Sequence, residues 1–351
     1  VEIQENVSLA PLTTLKIGGP ARYLVRAEDE TDLWEAAHFA RDAGLPIFVL
    51  GGGSNLVVSD GGFPGVVLYA ALQPSVVRTD LPEEVIFDVS AGTDWDAFVF
   101  SVCEQGLSGL ECLAGIPGLV GGAPVQNIGA YGQEVAETIV SVRALDLDPL
   151  NGFIPYKSLT REECGFSYRK SIFNSIHRDR YVATTVRFQL SKAATPNLSY
   201  ADLAPLRDTD PTPLDVYRFV RSVRERKGMV IDPNNIGPDS RSAGSFFKNP
   251  VVVKGAVKRI METLPPDVSM PQWPTPTGDV KLAAAWLIEQ AGFPKGFVLG
   301  RVGISSKHTL ALINRSGDAR CADLLRLRDL IQATVEDRFG IHLEQEPVML
   351  G

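Results

Sequence analysis

The stretch LPIFVLGGGSN (residues 45–55) reads as a buried strand running straight into a glycine turn. Ile47, Phe48, Val49 and Leu50 make a short apolar run between Pro46 and Gly51, the pattern of a strand covered on both faces. Gly51, Gly52 and Gly53 carry no side chains and permit positive φ, so successive amide N–H groups can converge on one phosphate oxygen. Ser54 and Asn55 stand next in line. The spacing is not G-x-G-x-x-G and no acid about 20 positions on could bind a ribose, which disfavours a Rossmann site. A glycine turn alone is also ordinary chain punctuation, so its surroundings must decide.

Upstream, ARYLVRA (21–27) reads as a strand and DETDLWEAAHFARDAG (29–44) as a helix opened by acids and closed by Gly44. Leu33, Ala36, Ala37 and Ala40 line one face of that helix. Downstream, GFPGVVLYA (62–70) adds a strand, giving an α/β unit over residues 1–70. Residues 71 to about 195 are mostly strand, as in EVIFDVSAGT (84–93), TIVSVRALDLD (138–148) and RYVATTVRFQLS (180–191). A helix, TDWDAFVFSVCEQGLSG (93–109), interrupts them with Trp95, Phe98, Val102 and Cys103 inward. The passage LAPLRDTDPTP (203–213) separates a third region, 213–339. Helices are expected there at 213–228, 280–292 and 319–340, a strand at 308–315, and a surface loop across the prolines of 263–279. The whole is an α+β chain.

A length of 351 residues exceeds what one core usually serves, so two or three domains are expected. Hydrophobic residues at 44% and charged residues at 22% are a globular mixture. A net charge of -8 argues against a nucleic-acid partner. Cys103, Cys112, Cys164 and Cys321 lack C-x-x-C spacing, and His38, His177, His308 and His342 lack companion ligands, so reduced, buried thiols and no metal are expected. No apolar run reaches the roughly 18–20 residues of a membrane span. Glu2 and Glu5 replace a basic leader, so a cytoplasmic location is expected.

Chemistry concentrates in irregular segments. GLECLAGIPGLVGGAPVQNIGAYG (109–132) is apolar yet full of glycine, suited to backbone lining a planar ligand. Gly118, Gly121, Gly122 and Ala123 would offer further backbone donors, with Gln126 and Asn127 for polar contacts. In DSRSAGSFFKNP (239–250), Ser245 stands between Gly244 and two phenylalanines, where a hydroxyl can donate a proton to a bound group. It lacks the G-x-S-x-G elbow of a hydrolase, and a turn with aromatic anchors reads equally well. Arg169 could neutralise a carboxylate or oxyanion or form a structural ion pair. Glu344 and Glu346 fall on one side of an extended strand, where exposed acids are the simpler reading. Lys227 ends a helix carrying Arg218, Arg221, Arg224 and Arg226, a cationic terminus facing water that could also attract a diphosphate.

Taken together, GGGSNLVVSD (51–60), IPGLVGGAPVQNIGAYG (116–132), YRKSIF (168–173), AGSFFKNP (243–250) and LEQEP (343–347) resemble the UDP-N-acetylenolpyruvoylglucosamine reductases of bacterial peptidoglycan synthesis, in order along essentially the whole chain. The resemblance implies a two-part FAD-binding unit of the vanillyl-alcohol-oxidase/PCMH type (1–70 and 71–212) plus a C-terminal α/β substrate-binding domain (213–339), with the tail 340–351 packing back on the first part. It implies FAD held at its pyrophosphate by Gly51, Gly52, Gly53, Ser54 and Asn55 and flanked by Gly122, Ala123, Gln126 and Ile128. NLSYADL (197–203) resembles the tyrosine loop of the family's longer form, making Tyr200 a cap over the substrate diphosphate. Lys227 and Asn249 would contact the UDP-sugar. Gln345 departs from the proline often found between the two acids.

By the same resemblance, NADPH reduces FAD, and UDP-N-acetylglucosamine enolpyruvate then takes hydride from flavin N5 to become UDP-N-acetylmuramate. Ser245 protonates the neighbouring carbon; Arg169 stabilises its charge, helped by Glu346 as a protonated acid or through an ordered water. A monomer is expected. Two other readings compete: an oxidase of the same flavin-binding fold, weakened because neither GGGSNLVVSD (51–60) nor IPGLVGGAPVQNIGAYG (116–132) has a His or Cys for covalent flavin attachment, and a nonenzymatic sugar-nucleotide binding module.

Overall fold

The computed structural model describes residues 1–147, 156–193, 195–231, 237–262, 264, 268–275 and 277–351. Asp148, the end of one expected strand, and residues 263, 265–267 and 276 of the expected loop lie outside them. The chain order is β1 (Ile3–Ser8), β2 (Pro20–Ala27), α1 (Glu30–Asp42), β3 (Ile47–Leu50), β4 (Leu56–Val58), β5 (Phe63–Ala70), β6 (Val76–Asp80), β7 (Glu84–Ser90), α2 (Trp95–Glu104), β8 (Gly129–Ala130), β9 (Gln133–Glu134), β10 (Ile139–Asp146), β11 (Tyr156–Thr160), β12 (Tyr181–Ser191) and α3 (Pro213–Arg226). There follow β13 (Val251–Val252), α4 (Lys254–Glu262), β14 (Gln272–Pro274), β15 (Val280–Leu282), α5 (Ala284–Gln290), β16 (Val298–Leu299), β17 (Val302–Ile304), β18 (Leu312–Asn314), α6 (Cys321–Phe339) and β19 (Val348–Leu350). These form two compact units.

The first unit comprises Val1–Val7, Ala21–Gly53 and Phe63–Arg226. In its sheet β1-β2-β5-β3, strand β5 pairs in parallel with both β2 and β3. Parallel strands need a crossover, and α1 supplies it between β2 and β3, which flank β5. The Asp29 side chain caps α1 by accepting from the Asp32 amide at 2.9 Å, and Leu33, Ala36 and Ala40 are buried with Val25, Val66 and Leu68. A second sheet, β11-β10-β12-β7-β6, is antiparallel throughout. Against it α2 buries Trp95, Phe98, Val102 and Cys103. Residues 213–226, assigned to the third region on sequence, pack here instead. The reason is the apolar stripe of α3, whose Val216, Tyr217, Val220 and Val223 complete this same core.

The second unit comprises Ser8–Pro20, Ser54–Gly62 and Lys227–Gly351. Its two three-stranded sheets, β13-β15-β14 and β16-β17-β18, are antiparallel. Helix α6 buries Leu324, Leu327, Ile331 and Val335 against Ile304, Leu312 and Leu343 and ends at Gly340, whose φ of +65° suits glycine. The C-terminal β19 pairs in parallel with β4, Leu350 opposite Val58. The Asp60 carboxylate accepts from the Cys321 and Ala322 amides at the start of α6, at 2.8 and 3.1 Å. Two expectations change. The helix expected over 280–292 is a strand, β15, followed by the shorter α5, because Val280–Leu282 supplies the central strand between β13 and β14. The loop expected over 263–279 contains β14, an edge strand that tolerates Pro274. Among the described residues no helix is long and apolar enough to cross a membrane.

Candidate functional site

In the first unit the chain leaves β3 at Leu50 and turns through the three glycines, Gly53 having φ of +62°. A Cβ on Gly52 would lie 2.6 Å from the Gly118 Cα, so the two glycine segments meet backbone to backbone. A Cβ on Gly121 would lie 2.5 Å from the Ala91 Cβ. Gly51 and Gly122 differ, since a Cβ on either meets no atom within 4 Å. Glycine is therefore required by packing at Gly52 and Gly121 and leaves open space at Gly51 and Gly122.

The second segment does not supply the free donors expected of it. The amides of Gly121, Gly122 and Ala123 donate to Ala91, Leu119 and Val120 carbonyls at 2.9, 2.9 and 3.1 Å. A 3-10 turn over Val120–Gly122 consumes the last two and Ala91 the first, and what the segment offers a ligand is close backbone approach. Ala123 and Ile128 are buried, and the Ile128 amide donates to the Ala123 carbonyl at 3.1 Å, closing the turn. Gln126 is half-buried.

Backbone strain gathers in the same place. Asn127, Tyr131 and Arg169 have φ of +45°, +49° and +56°, a conformation that costs a non-glycine residue on the order of 1–3 kcal/mol. The half-buried Arg169 guanidinium donates to the Asn127 carbonyl at 3.3 Å and to the Gly129 carbonyl. Asn127 donates to Glu134 at 2.8 Å and to the Ser167 carbonyl at 3.1 Å. This network brings YRKSIF and QNIGAYG together, as a site built from both requires. Tyr200 stands against the same segment, its ring 5.5 Å from that of Tyr131 in an edge contact.

The cationic end of α3 is only partly a face toward water. Arg224 is 8% exposed and its Nε–H is a fully buried donor with no partner among the described residues. Burial pushes its pKa down, opposed by Tyr131 and Asp96. An unpaired buried cation is costly, and an anionic ligand would relieve it. Sequence reasoning grouped Arg224 with the solvated arginines, yet Val216, Val220, Val223 and Arg224 share one helical face, which is the signal for an inward arginine. Close-packed glycine backbone and open space at Gly51 and Gly122 fit a planar, phosphate-bearing cofactor, and the orphaned Arg224 donor lies near Tyr131 and Asp96.

Ser54 and Asn55 fall in the second unit, where the Asn55 carbonyl accepts from the Val348 amide at 3.0 Å. So do Ser245 and Glu346, which lie on paired segments. Phe247 pairs antiparallel with Gln345, the Glu346 amide donates to the Phe246 carbonyl at 2.9 Å, and the Lys248 amide donates to the Glu344 carbonyl at 2.9 Å. Phe246 and Phe247 are buried and their rings meet at 5.4 Å, anchoring the segment on either side of which Ser245 and Lys248 are half-buried. Gly244, at φ +69°, makes the turn into Ser245. The two acids separate: Glu344 is exposed and paired with Lys248 at 2.5 Å, whereas Glu346 is half-buried.

Asn249 has a structural task, its Oδ1 accepting from the Ala284 amide at the start of α5 at 3.0 Å. Only its NH2 end can then serve a ligand acceptor. Lys227 is half-buried just after α3, before Gly228 at φ +68°. All four cysteines are free and buried. Burial pushes Cys112 and Cys164 up to about 12 and Cys321 up to about 11, with nearby carboxylates adding to it, and raises Cys103 further. No group of three or more His, Cys, Asp or Glu residues that could hold a metal ion occurs among the described residues.

Residues 237–350 match the UDP-N-acetylenolpyruvoylglucosamine reductase C-terminal domain, and residues 21–148 match an FAD binding domain. The chain is 46% identical to the UDP-N-acetylenolpyruvoylglucosamine reductase of Thermobifida fusca, over 99% of this chain and 97% of that one. It is 39% identical to that of Pseudomonas aeruginosa, over 99% and 98%. The crystal structure of UDP-N-acetylenolpyruvylglucosamine reductase from Thermus caldophilus superposes over the whole of both chains with a TM-score of 0.65 at 28% identity.

Proposed function

The chain belongs to the UDP-N-acetylenolpyruvoylglucosamine reductase family, and from that membership we propose how its residues divide the work. It is an FAD-containing oxidoreductase acting on the enolpyruvyl group of UDP-N-acetylglucosamine enolpyruvate. NADPH is the cosubstrate, and the enzyme works as a cytoplasmic monomer in peptidoglycan precursor synthesis. Residues 1–70 and 71–212, with α3 packed on them, serve the cofactor and lend Arg169 and Tyr200 to the substrate, and the region after α3 serves the sugar nucleotide.

Bound FAD supplies the hydride that saturates the enolpyruvyl double bond. Gly51, Gly52, Gly53, Ser54 and Asn55 hold its pyrophosphate, and Gly122, Ala123, Gln126 and Ile128 border it. The open space at Gly51 and Gly122 supports this reading. The chain must then stabilise the electron-rich carbon beside the substrate carboxylate and protonate it. Arg169 does the first with a planar fork that matches a carboxylate, assisted by Glu346. Ser245 does the second. A serine hydroxyl is a weak acid, so it serves only a strongly basic carbon held close. Among the described residues the Ser245 hydroxyl is bonded to no other group, which leaves its proton available. Tyr200, Lys227 and Asn249 bind the UDP-sugar.

The observation that carries the assignment is the pairing of AGSFFKNP with LEQEP, which supports reading Ser245 and Glu346 as parts of one site on neighbouring segments. Ser245→Ala tests it by half-reactions. NADPH should still bleach the flavin, while reoxidation by the enolpyruvyl sugar should slow by about 10²–10⁴-fold. Equal loss of both half-reactions would remove Ser245 from the role of proton donor.

A further inference from the structure

Tyr200 ends an unusual piece of backbone. The three carbonyls of Leu198, Ser199 and Tyr200 all turn toward one guanidinium, that of Arg207. Its Nε donates to Leu198 at 3.0 Å, and its Nη2 donates to Ser199 at 2.9 Å and Tyr200 at 3.3 Å. Successive carbonyls aimed at one point repel each other, so this curl needs a cation to stay closed. The loop has other ties as well. The Ser199 amide donates to Asn197 Oδ1 at 3.0 Å, and the Cys112 thiol donates weakly to the Asn197 carbonyl at 3.6 Å. Tyr200 also opens the 3-10 turn Ala201–Leu206 without a side-chain cap, and Arg207 stands at the far end of that turn.

We propose that Arg207 is a positioning residue for substrate binding: its guanidinium closes the curl that presents Tyr200 to an anionic substrate phosphate. The proposal rests on reading Tyr200 as a substrate contact. The fork does two things at once. It fixes the three residues that carry the ring, so less ordering is left to be done when the sugar nucleotide binds. It also neutralises three carbonyl oxygens that would otherwise present a negative lobe beside a diphosphate. Lysine cannot substitute, because a point charge on a flexible stem lacks the planar array of donors that reaches three acceptors. Tyr131 completes the seat from the other side: its ring meets Tyr200 edge-on, and a Cβ on Gly132 would come within 3.9 Å of the Tyr200 Cβ.

Arg207 is exposed and borders a cleft of about 410 Å³ together with Pro196, Leu198 and Asp210, so truncating it opens no buried void. The test measures the Kd of UDP-N-acetylglucosamine enolpyruvate for the oxidised, FAD-loaded protein by the flavin's spectral change. Wild type is compared with Arg207→Ala, Arg207→Lys, Tyr200→Ala and the Arg207→Ala/Tyr200→Ala double variant. Arg207→Ala should weaken sugar binding about tenfold, leave the NADPH bleaching rate unchanged, and be only partly rescued by lysine. The double variant should bind no more weakly than Tyr200→Ala alone, because the strap acts through that residue. Wild-type affinity in Arg207→Ala beside weakened binding in Tyr200→Ala overturns the strap alone, as does an additive double variant. Wild-type affinity in Tyr200→Ala overturns the reading of Tyr200 and the strap with it.

Discussion

Gly122→Ala separates the demands of the protein from those of its cofactor at one atom. The new Cβ meets nothing within 4 Å, and Gly122 lies outside the left-handed backbone region. With no clash and less unfolded-chain entropy to lose, the apoprotein should be unchanged or about 0.4–1 kcal/mol more stable. If that space belongs to FAD, the same methyl overpacks the complex by about 1–3 kcal/mol. Such a penalty weakens the FAD Kd by about 5- to 150-fold. Gly52→Ala is the contrast: its Cβ would sit 2.6 Å from the Gly118 Cα, so the apoprotein itself should lose about 1–3 kcal/mol. Urea unfolding of the two apoproteins, with FAD titrations followed by flavin fluorescence, gives both numbers. Gly122→Ala with wild-type FAD affinity would refute the assignment of that open space to the cofactor.

Asn249→Ala should cost about 0.5–2 kcal/mol by uncapping α5, whereas Asn249→Asp keeps the acceptor and should lose little stability. Both should raise KM for the sugar nucleotide, so thermal melts beside steady-state kinetics separate the two ends of one amide. The buried thiols set an alkaline limit. Their folded pKa values lie above that of an unfolded cysteine, so the unfolded state loses protons first; stability is full below about pH 8.5 and falls as pH rises toward about 11–12. Denaturation midpoints from pH 7 to 11 should show this decline, and a thiol reagent at neutral pH should modify the cysteines only as the chain unfolds.

Much of this fold is legible in local pattern. The 3.6-residue spacing of Leu33, Ala36 and Ala40 and the apolar run of β5 mark elements whose burial follows from their own pattern, whereas β3, read as covered on both faces, is an edge strand in which only Leu50 is buried. What pattern does not carry is partnership at long range. Nothing in residues 54–62 announces that β4 pairs with the last strand, or that Asp60 caps α6, because both depend on chain at least 261 positions away. The site divides in the same way. Glycine spacing marks the two segments that meet at Gly52 and Gly118, yet only the structure shows which glycines are filled by neighbours and which face open space. Positive φ at Arg169, the inward turn of Arg224 and the second task of Asn249 are tertiary facts, decided by the carbonyls, core and helix end that each side chain meets.

The most direct test of the central claim is anaerobic stopped-flow absorbance of the FAD-loaded chain, mixed first with NADPH and then with UDP-N-acetylglucosamine enolpyruvate. The account predicts rapid bleaching of the flavin followed by recovery that depends on the sugar. Bleaching without that recovery, or no bleaching with FAD occupancy verified, would contradict it.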